Sequence, residues 1–184
     1  MKSTLAISSI IFTVSILTLP MVWSDNDFNW EKISDNSSAL ATTKNPLYKE
    51  ECGSCHMAYS PALLPAKSWS KLMSELEDHF GDNAELDAQT AQSISQYLLA
   101  NSAEHTNSRD ARKFFQSIKS AQTPIRISDI PYFKHEHDEI PQRMVTKNPK
   151  VKSFSQCDAC HAKAEQGLFN EHEVNIPGFG QWDD

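Results

Sequence analysis

Two short stretches decide the reading: Cys52-Gly53-Ser54-Cys55-His56 and Cys157-Asp158-Ala159-Cys160-His161. Both have the form C-x-x-C-H, and together they use all four cysteines of the chain. This is the haem c attachment pattern. Two thiols three residues apart form thioethers to the two vinyl groups on one edge of a porphyrin. The histidine that follows then lies under the ring and binds iron. A single chance match has a probability on the order of 10⁻³ per chain, and two are far rarer. The expected cofactors are therefore two covalently bound haem c groups, held through Cys52, Cys55, Cys157 and Cys160, with His56 and His161 as proximal iron ligands.

Three other uses of the cysteines compete. A thioredoxin-like redox pair needs one C-x-x-C in a βαβ setting, and no such setting is visible. A Cys₄ zinc site pairs two knuckles usually about 15–20 residues apart, whereas 101 residues separate Cys55 from Cys157. Two structural disulfides suit an exported chain but leave both flanking histidines unexplained.

Outward from the motifs, the chain is 184 residues with a formal net charge of −7 and 39% apolar residues. That length allows one domain or two small ones and excludes a large multidomain enzyme. The acidic balance argues against nucleic acid as a partner, because phosphate neutralisation needs a basic surface. Lys2 is the only charge before Asp25, and an apolar run from Leu5 to Leu19 follows it. With small residues at Val22 and Ser24, residues 1–24 read as a secretory signal cleaved after Ser24. The competing reading is a membrane anchor, but a run of about 15 residues is short of the roughly 20 that a span needs. Cleavage leaves 160 residues and removes one positive charge. The mature protein is expected to be soluble and periplasmic.

Residues 25–44 are polar and read as a flexible lead-in, with Phe28 and Trp30 able to dock. Asn45-Pro46 opens a first helix carrying Leu47 and Tyr48 into the first motif. Pro61 and Pro65 bracket Leu63 and Leu64, expected to cover a haem edge. Trp69, Leu72, Met73, Leu76, His79 and Phe80 recur at spacings of three and four, which predicts one amphipathic helix from Ala66 to Phe80, stopped by Gly81. Asp87 caps a helix with Ala91, Ile94, Tyr97 and Leu98 on its buried stripe. The polar stretch 101–107 reads as a boundary between a haem unit at 45–105 and another at 106–184. Ser108 starts a helix burying Phe114, Phe115 and Ile118. Pro124, Pro131 and Pro141 predict an irregular, extended connection, and Pro149 opens a last helix through Val151 and Phe154. The tail from Gly167 reads as loop. The expected fold is mainly α: two small helical haem-binding units, the first like a class I cytochrome c, the second irregular with few helices.

The sixth iron ligand decides reactivity, since His or Met closes the site for electron transfer while an open position admits gas or peroxide chemistry. For the first haem His79 is favoured, 23 residues after His56, with Met73 next. Met57 adjoins His56 and cannot reach the far side of the ring. For the second haem only 23 residues follow His161, so its ligand is expected from upstream. His135 and His137 point the same way in an extended segment, so geometry does not choose between them. His137 is favoured, and Asp138 or Glu139 could orient its N–H. His172 would have to round the ring edge, Met144 is weaker, and His105 reads as a surface residue. Arg109, Arg112, Arg126 and Arg143 receive no role.

The early motif, His79-Phe80-Gly81-Asp82, the 134–139 segment with Pro141, and the late motif with Gly167, Phe169 and Ile176-Pro177-Gly178 resemble the bacterial soluble dihaem cytochrome c family. The resemblance spans roughly residues 45–182. It implies a class I-like N-terminal unit, a divergent C-terminal one, and two low-potential, bis-histidine irons with His79 and His137 as distal ligands. It also implies redox partners: a membrane b-type cytochrome and another c-type haem protein, in some cases an oxygen-binding monohaem one. The expected function is single-electron transfer without catalysis. The alternative is a dihaem peroxidase-like or nitrogen-oxide-reducing enzyme, which needs an open iron position with acid–base residues above it. A haem sensor fused to signalling would need a transmitter domain, and none is visible.

Overall fold

The computed structural model describes residues 39–182. The segment expected to be a signal, Phe28, Trp30 and most of the expected lead-in lie outside the described residues. Five α-helices carry the described chain: α1 Pro46–Cys52, α2 Ala66–Met73, α3 Ala88–Ala100, α4 Arg109–Ser117 and α5 Pro131–Glu136. Single 3₁₀ turns join them, and a two-strand antiparallel ribbon, β1 Asn175–Ile176 with β2 Gly180–Gln181, closes the tail. The fold is mainly α, as expected.

Helices α1, α3 and α4 each start at a residue whose side chain satisfies free N–H groups of the first turn. Asn45 accepts from Tyr48 N at 3.0 Å and Pro46 takes the first turn of α1. Asp87 accepts from the N–H groups of Gln89 and Thr90 to start α3, and the Ser108 hydroxyl accepts from Ala111 N to start α4. Such caps contribute about 1 kcal/mol each. At the other end of α1, Gly53 donates to Lys49 O at 3.0 Å, and a Cβ there would lie 2.2 Å from that oxygen. The first variable position of this motif therefore needs glycine.

The main core joins Tyr48, Leu64, Trp69, Ile94, Leu98, Ile130 and Phe133. Ile94 and Leu98 hold the buried stripe of α3, as the periodicity predicts, and Trp69 Nε1 donates to Pro61 O at 2.8 Å across the centre. Ile130 and Phe133 sit in this cluster beside Ile94 and Leu98, so one core runs through residues on both sides of position 105. A second cluster, Met144, Val145, Val151, Val174 and Ile176, lies under the late motif. A third joins Leu40, Ala62, Leu63 and Ala111, and there Leu40 N donates to Gly167 O at 2.9 Å. Gly167 has φ +74°, and a Cβ on it would lie 2.1 Å from Leu40 O.

Three local expectations are corrected. The helix from Ala66 ends at Met73, not Phe80. The Ser74 hydroxyl donates to Lys71 O, and the acidic run beyond it folds into turns. Asp78 accepts from Gly81 N while His79 N donates to Asp82 O at 2.7 Å, so His79 sits in a tight loop rather than on the helix face. The connection expected to be extended contains α5, because Pro131 at its first position is already set for helical φ. Finally, Pro149 opens no helix: Val151 and Lys152 N–H both donate to Asn148 O, then Lys152 turns left-handed at φ +70°. Buried Asn148 donates instead to Met144 O and Pro177 O, tying this turn to the tail.

Candidate haem sites

Two imidazole pairs face each other. The His56 and His79 ring centroids are 6.4 Å apart with planes inclined 27°. Those of His137 and His161 are 6.2 Å apart with planes at 70°. All four rings are half-buried, while His135, His105 and His172 are exposed. The structure thus brings His137, not His135, to His161. The reason is the unexpected helix α5: residues two apart point the same way on a strand but diverge by more than half a turn on a helix.

Each pair includes one ring whose tautomer is set by a carbonyl. His56 Nδ1 lies 2.8 Å from Met57 O, and His137 Nδ1 lies 2.9 Å from Phe133 O. Donation from Nδ1 leaves Nε2 unprotonated and free to bind a metal, the usual arrangement of a ligating histidine. The Phe133 carbonyl thus orients His137 through Nδ1. Burial and the neighbouring His56 ring lower the pKa of His79. Burial and His137 push that of His161 down to about 4. At His79 and His161 burial thus favours the neutral imidazole, the form that coordinates.

None of the four cysteines is in a disulfide. Burial, then Glu51, raises the Cys52 thiol to about 11, and burial, then Asp158, raises Cys157 to about 12. A redox pair works through a depressed thiol pKa, so these environments are the wrong ones for thiol–disulfide exchange. They suit thiols that end as uncharged thioethers.

The residues present fit haem. Metal–imidazole bonds of about 2.0 Å, added to about 1.2 Å from each nitrogen to its ring centre, put two imidazoles on one metal about 6.4 Å apart, and both observed spans lie close to it. Among the described residues no cluster of three or more His, Cys, Asp or Glu could hold a bare metal ion. A porphyrin supplies four ligands of its own and asks the protein for the two that each pair offers. Trp182 packs against the second cluster, as Cys160 does, and its buried indole N–H has no partner among the described residues, a donor left for a bound group.

The motif reading missed the aromatic rings that hold these imidazoles. Tyr59 stacks on His56 at 4.6 Å and 19°, and its hydroxyl donates to Ser155 O at 2.6 Å, two residues before Cys157. Phe133 stacks on His137 at 4.0 Å and 10°, while Phe154 meets the same ring edge-on at 5.7 Å. Phe169 lies edge-on to His161. Phe133 precedes His137 by one helical turn, a signal hidden once the segment is read as extended. Met73 is half-buried against the main core, and Met144 is buried in the second cluster.

Comparison with known proteins gives the same result. The family model for dihaem cytochrome c matches residues 48–169. Among solved structures, a dihaem cytochrome c of Shewanella baltica is 47% identical over 77% of this chain and 99% of its own, with a TM-score of 0.63. One from Rhodobacter sphaeroides is 43% identical over 72% of this chain and 100% of its own, with a TM-score of 0.62. No curated protein sequence matches the chain. The paired motifs, the paired imidazoles and these relatives place the chain in the dihaem cytochrome c family, an electron-transfer family, with two covalently bound haem c groups.

Proposed function

We propose that the protein is a periplasmic carrier of single electrons, with both irons closed by two histidines: His56 and His79 at the first haem, His161 and His137 at the second. The observation that carries this reading is the pair of imidazole spans, 6.4 and 6.2 Å, each matching one iron between two rings. Haem supplies the Fe(III)/Fe(II) couple. His56, His79, His137 and His161 would hold it through their ring nitrogens, and with two histidines bound at each iron no substrate oxygen would gain access. That last property separates a carrier from a peroxidase-like or nitrogen-oxide-reducing enzyme.

Exchange between the two haems is supported by their neighbourhood. The Tyr59 side chain touches His56 at one end and the segment leading to Cys157 at the other. A chain of 160 residues has a radius of gyration of roughly 15 Å, so two haems within it cannot be far apart. The acidic balance favours encounter with basic patches on partners, which the family resemblance identifies as a membrane b-type cytochrome and a second c-type haem protein. No helix among the described residues is long and apolar enough to cross a membrane. Cleavage after Ser24 releases the chain on the export side, and the mature N-terminus is then Asp25.

The test is spectroscopic. The purified holoprotein is expected to be six-coordinate and low-spin in both oxidation states and not to bind carbon monoxide. His79→Ala and His137→Ala should each convert about half of the low-spin signal to high-spin, whereas His135→Ala leaves it intact. A high-spin haem in the unaltered protein, or one that binds carbon monoxide, favours the enzyme.

A further inference from the structure

The two imidazole pairs share a span but not an orientation, 27° at the first site and 70° at the second. We infer that Tyr59 and Phe133 are positioning residues that hold these ligand planes near-parallel at one iron and crossed at the other. The irons are thereby made electronically unequal, and the first electron settles on the second haem. This rests on the bis-histidine reading above.

Each ring is fixed by two contacts. His56 is held by Nδ1 against Met57 O and by the face of Tyr59, which is itself tethered through its hydroxyl to Ser155 O. His137 is held by Nδ1 against Phe133 O and by the face of Phe133, with Phe154 closing its edge. A hydrogen bond alone leaves an imidazole free to swing about the N–H···O line. A stacked ring removes that freedom.

The electronic consequence follows from how an imidazole interacts with low-spin iron. Its π system mixes with whichever of the two out-of-plane d orbitals overlaps it. Two parallel rings act on the same orbital and split the pair, while two crossed rings act on one each and leave the pair nearly degenerate. Ferric low-spin iron has three electrons in that pair, so splitting stabilises it. Ferrous iron has four and gains nothing. Near-parallel planes therefore favour the ferric state at the first haem, and crossed planes withhold that stabilisation at the second. Local charge does not set the order: at the first site Asp82 and Arg126 act on His79 in opposite senses, and at the second Asp158 lies beside Cys157 and Cys160. Packing acts with the plane angles, since Phe133, Phe154 and Phe169 crowd the second pair and disfavour the more positive iron there.

Electron paramagnetic resonance of the fully oxidised holoprotein, combined with a reductive titration, tests this. The expected result is two low-spin signals of equal spin count: a rhombic one from the first haem and a strongly anisotropic, large-g one from the second. The large-g signal should disappear first on reduction. Phe133→Leu should move only the large-g signal towards the rhombic type. Tyr59→Leu should move only the rhombic signal, and Tyr59→Phe, which keeps the ring, should leave it in place. Two signals of one type, the rhombic signal disappearing first, or a large-g signal unmoved by Phe133→Leu overturns the inference with histidine ligation intact. A high-spin signal in the unaltered protein overturns the ligation reading itself.

Discussion

At the first site the partner of the motif histidine comes 23 residues later, and at the second it comes 24 residues earlier. The scaffolds differ as much as the order. The first site lies among α1, α2 and α3, with its partner His79 in a four-residue turn. The second lies among single turns and a two-residue ribbon, with its partner at the end of a six-residue helix. Its own cluster has five buried residues, none of them aromatic. The first site can thus draw stability from helix packing, whereas the second has a small cluster of its own beneath it. The same ligand span is reached with regular structure in one case and almost without it in the other.

The strongest way to break this comparison is to remove one attachment at a time. Cys157→Ala with Cys160→Ala, and Cys52→Ala with Cys55→Ala, should each lower the mass by one haem. The late pair should also expose residues 140–182 to protease while leaving the helical circular dichroism largely intact. The early pair should spare that segment, because its cluster does not include the first motif. Equal protection of 140–182 in both double variants would show that this segment does not depend on the haem at the late motif.

A smaller effect tests the contact between the two sites. The Tyr59 hydroxyl donates to Ser155 O, and burial raises the phenol well above the usual tyrosine range. Tyr59→Phe keeps the ring on His56 but leaves the Ser155 carbonyl half-buried and unpaired. A lost hydrogen bond of this kind costs about 1 kcal/mol. Denaturation followed at the haem absorbance should show that loss, with the low-spin spectrum unchanged.

What the sequence makes legible here depends on the range of the forces involved. The covalent anchors are local chemistry written in five consecutive residues, and the caps at Asn45, Asp87 and Ser108 act within three. Both are readable without a structure. The choice between His135 and His137 turns on whether a proline-flanked segment is helix or strand, and Pro131 suits either an extended connection or a first helical turn. The end of α2 is hidden for another reason. The apolar spacing continues past Met73, but the Ser74 hydroxyl and the acidic side chains after it compete for the backbone. Tyr59 is illegible as a bridge, because its partner lies 96 residues away.

The finest comparison concerns how the two distal rings are held. His137 is backed by a stacked, buried Phe133, whereas His79 meets Phe80 at 4.7 Å and 54°, and Phe80 is 39% exposed with Arg126 over its ring at 3.7 Å. Phe80 also adopts φ +62°, a left-handed conformation that costs an L-residue about 1–2 kcal/mol. An exposed cation–π contact returns about 0.5–1 kcal/mol, and the ring's packing on His79 returns the rest. Phe80→Gly removes the strain and the contacts together, so global stability should change by less than about 0.5 kcal/mol. Its effect should appear instead in the loop. With no ring against His79 the imidazole swings more freely, and external imidazole or cyanide should replace it at the ferric first haem several-fold faster, with the second haem unaffected. Stopped-flow ligand exchange separates the two haems. If the exchange rate at the first haem does not rise, His79 is held by the turn's backbone bonds to Asp82 and owes nothing to Phe80 and Arg126.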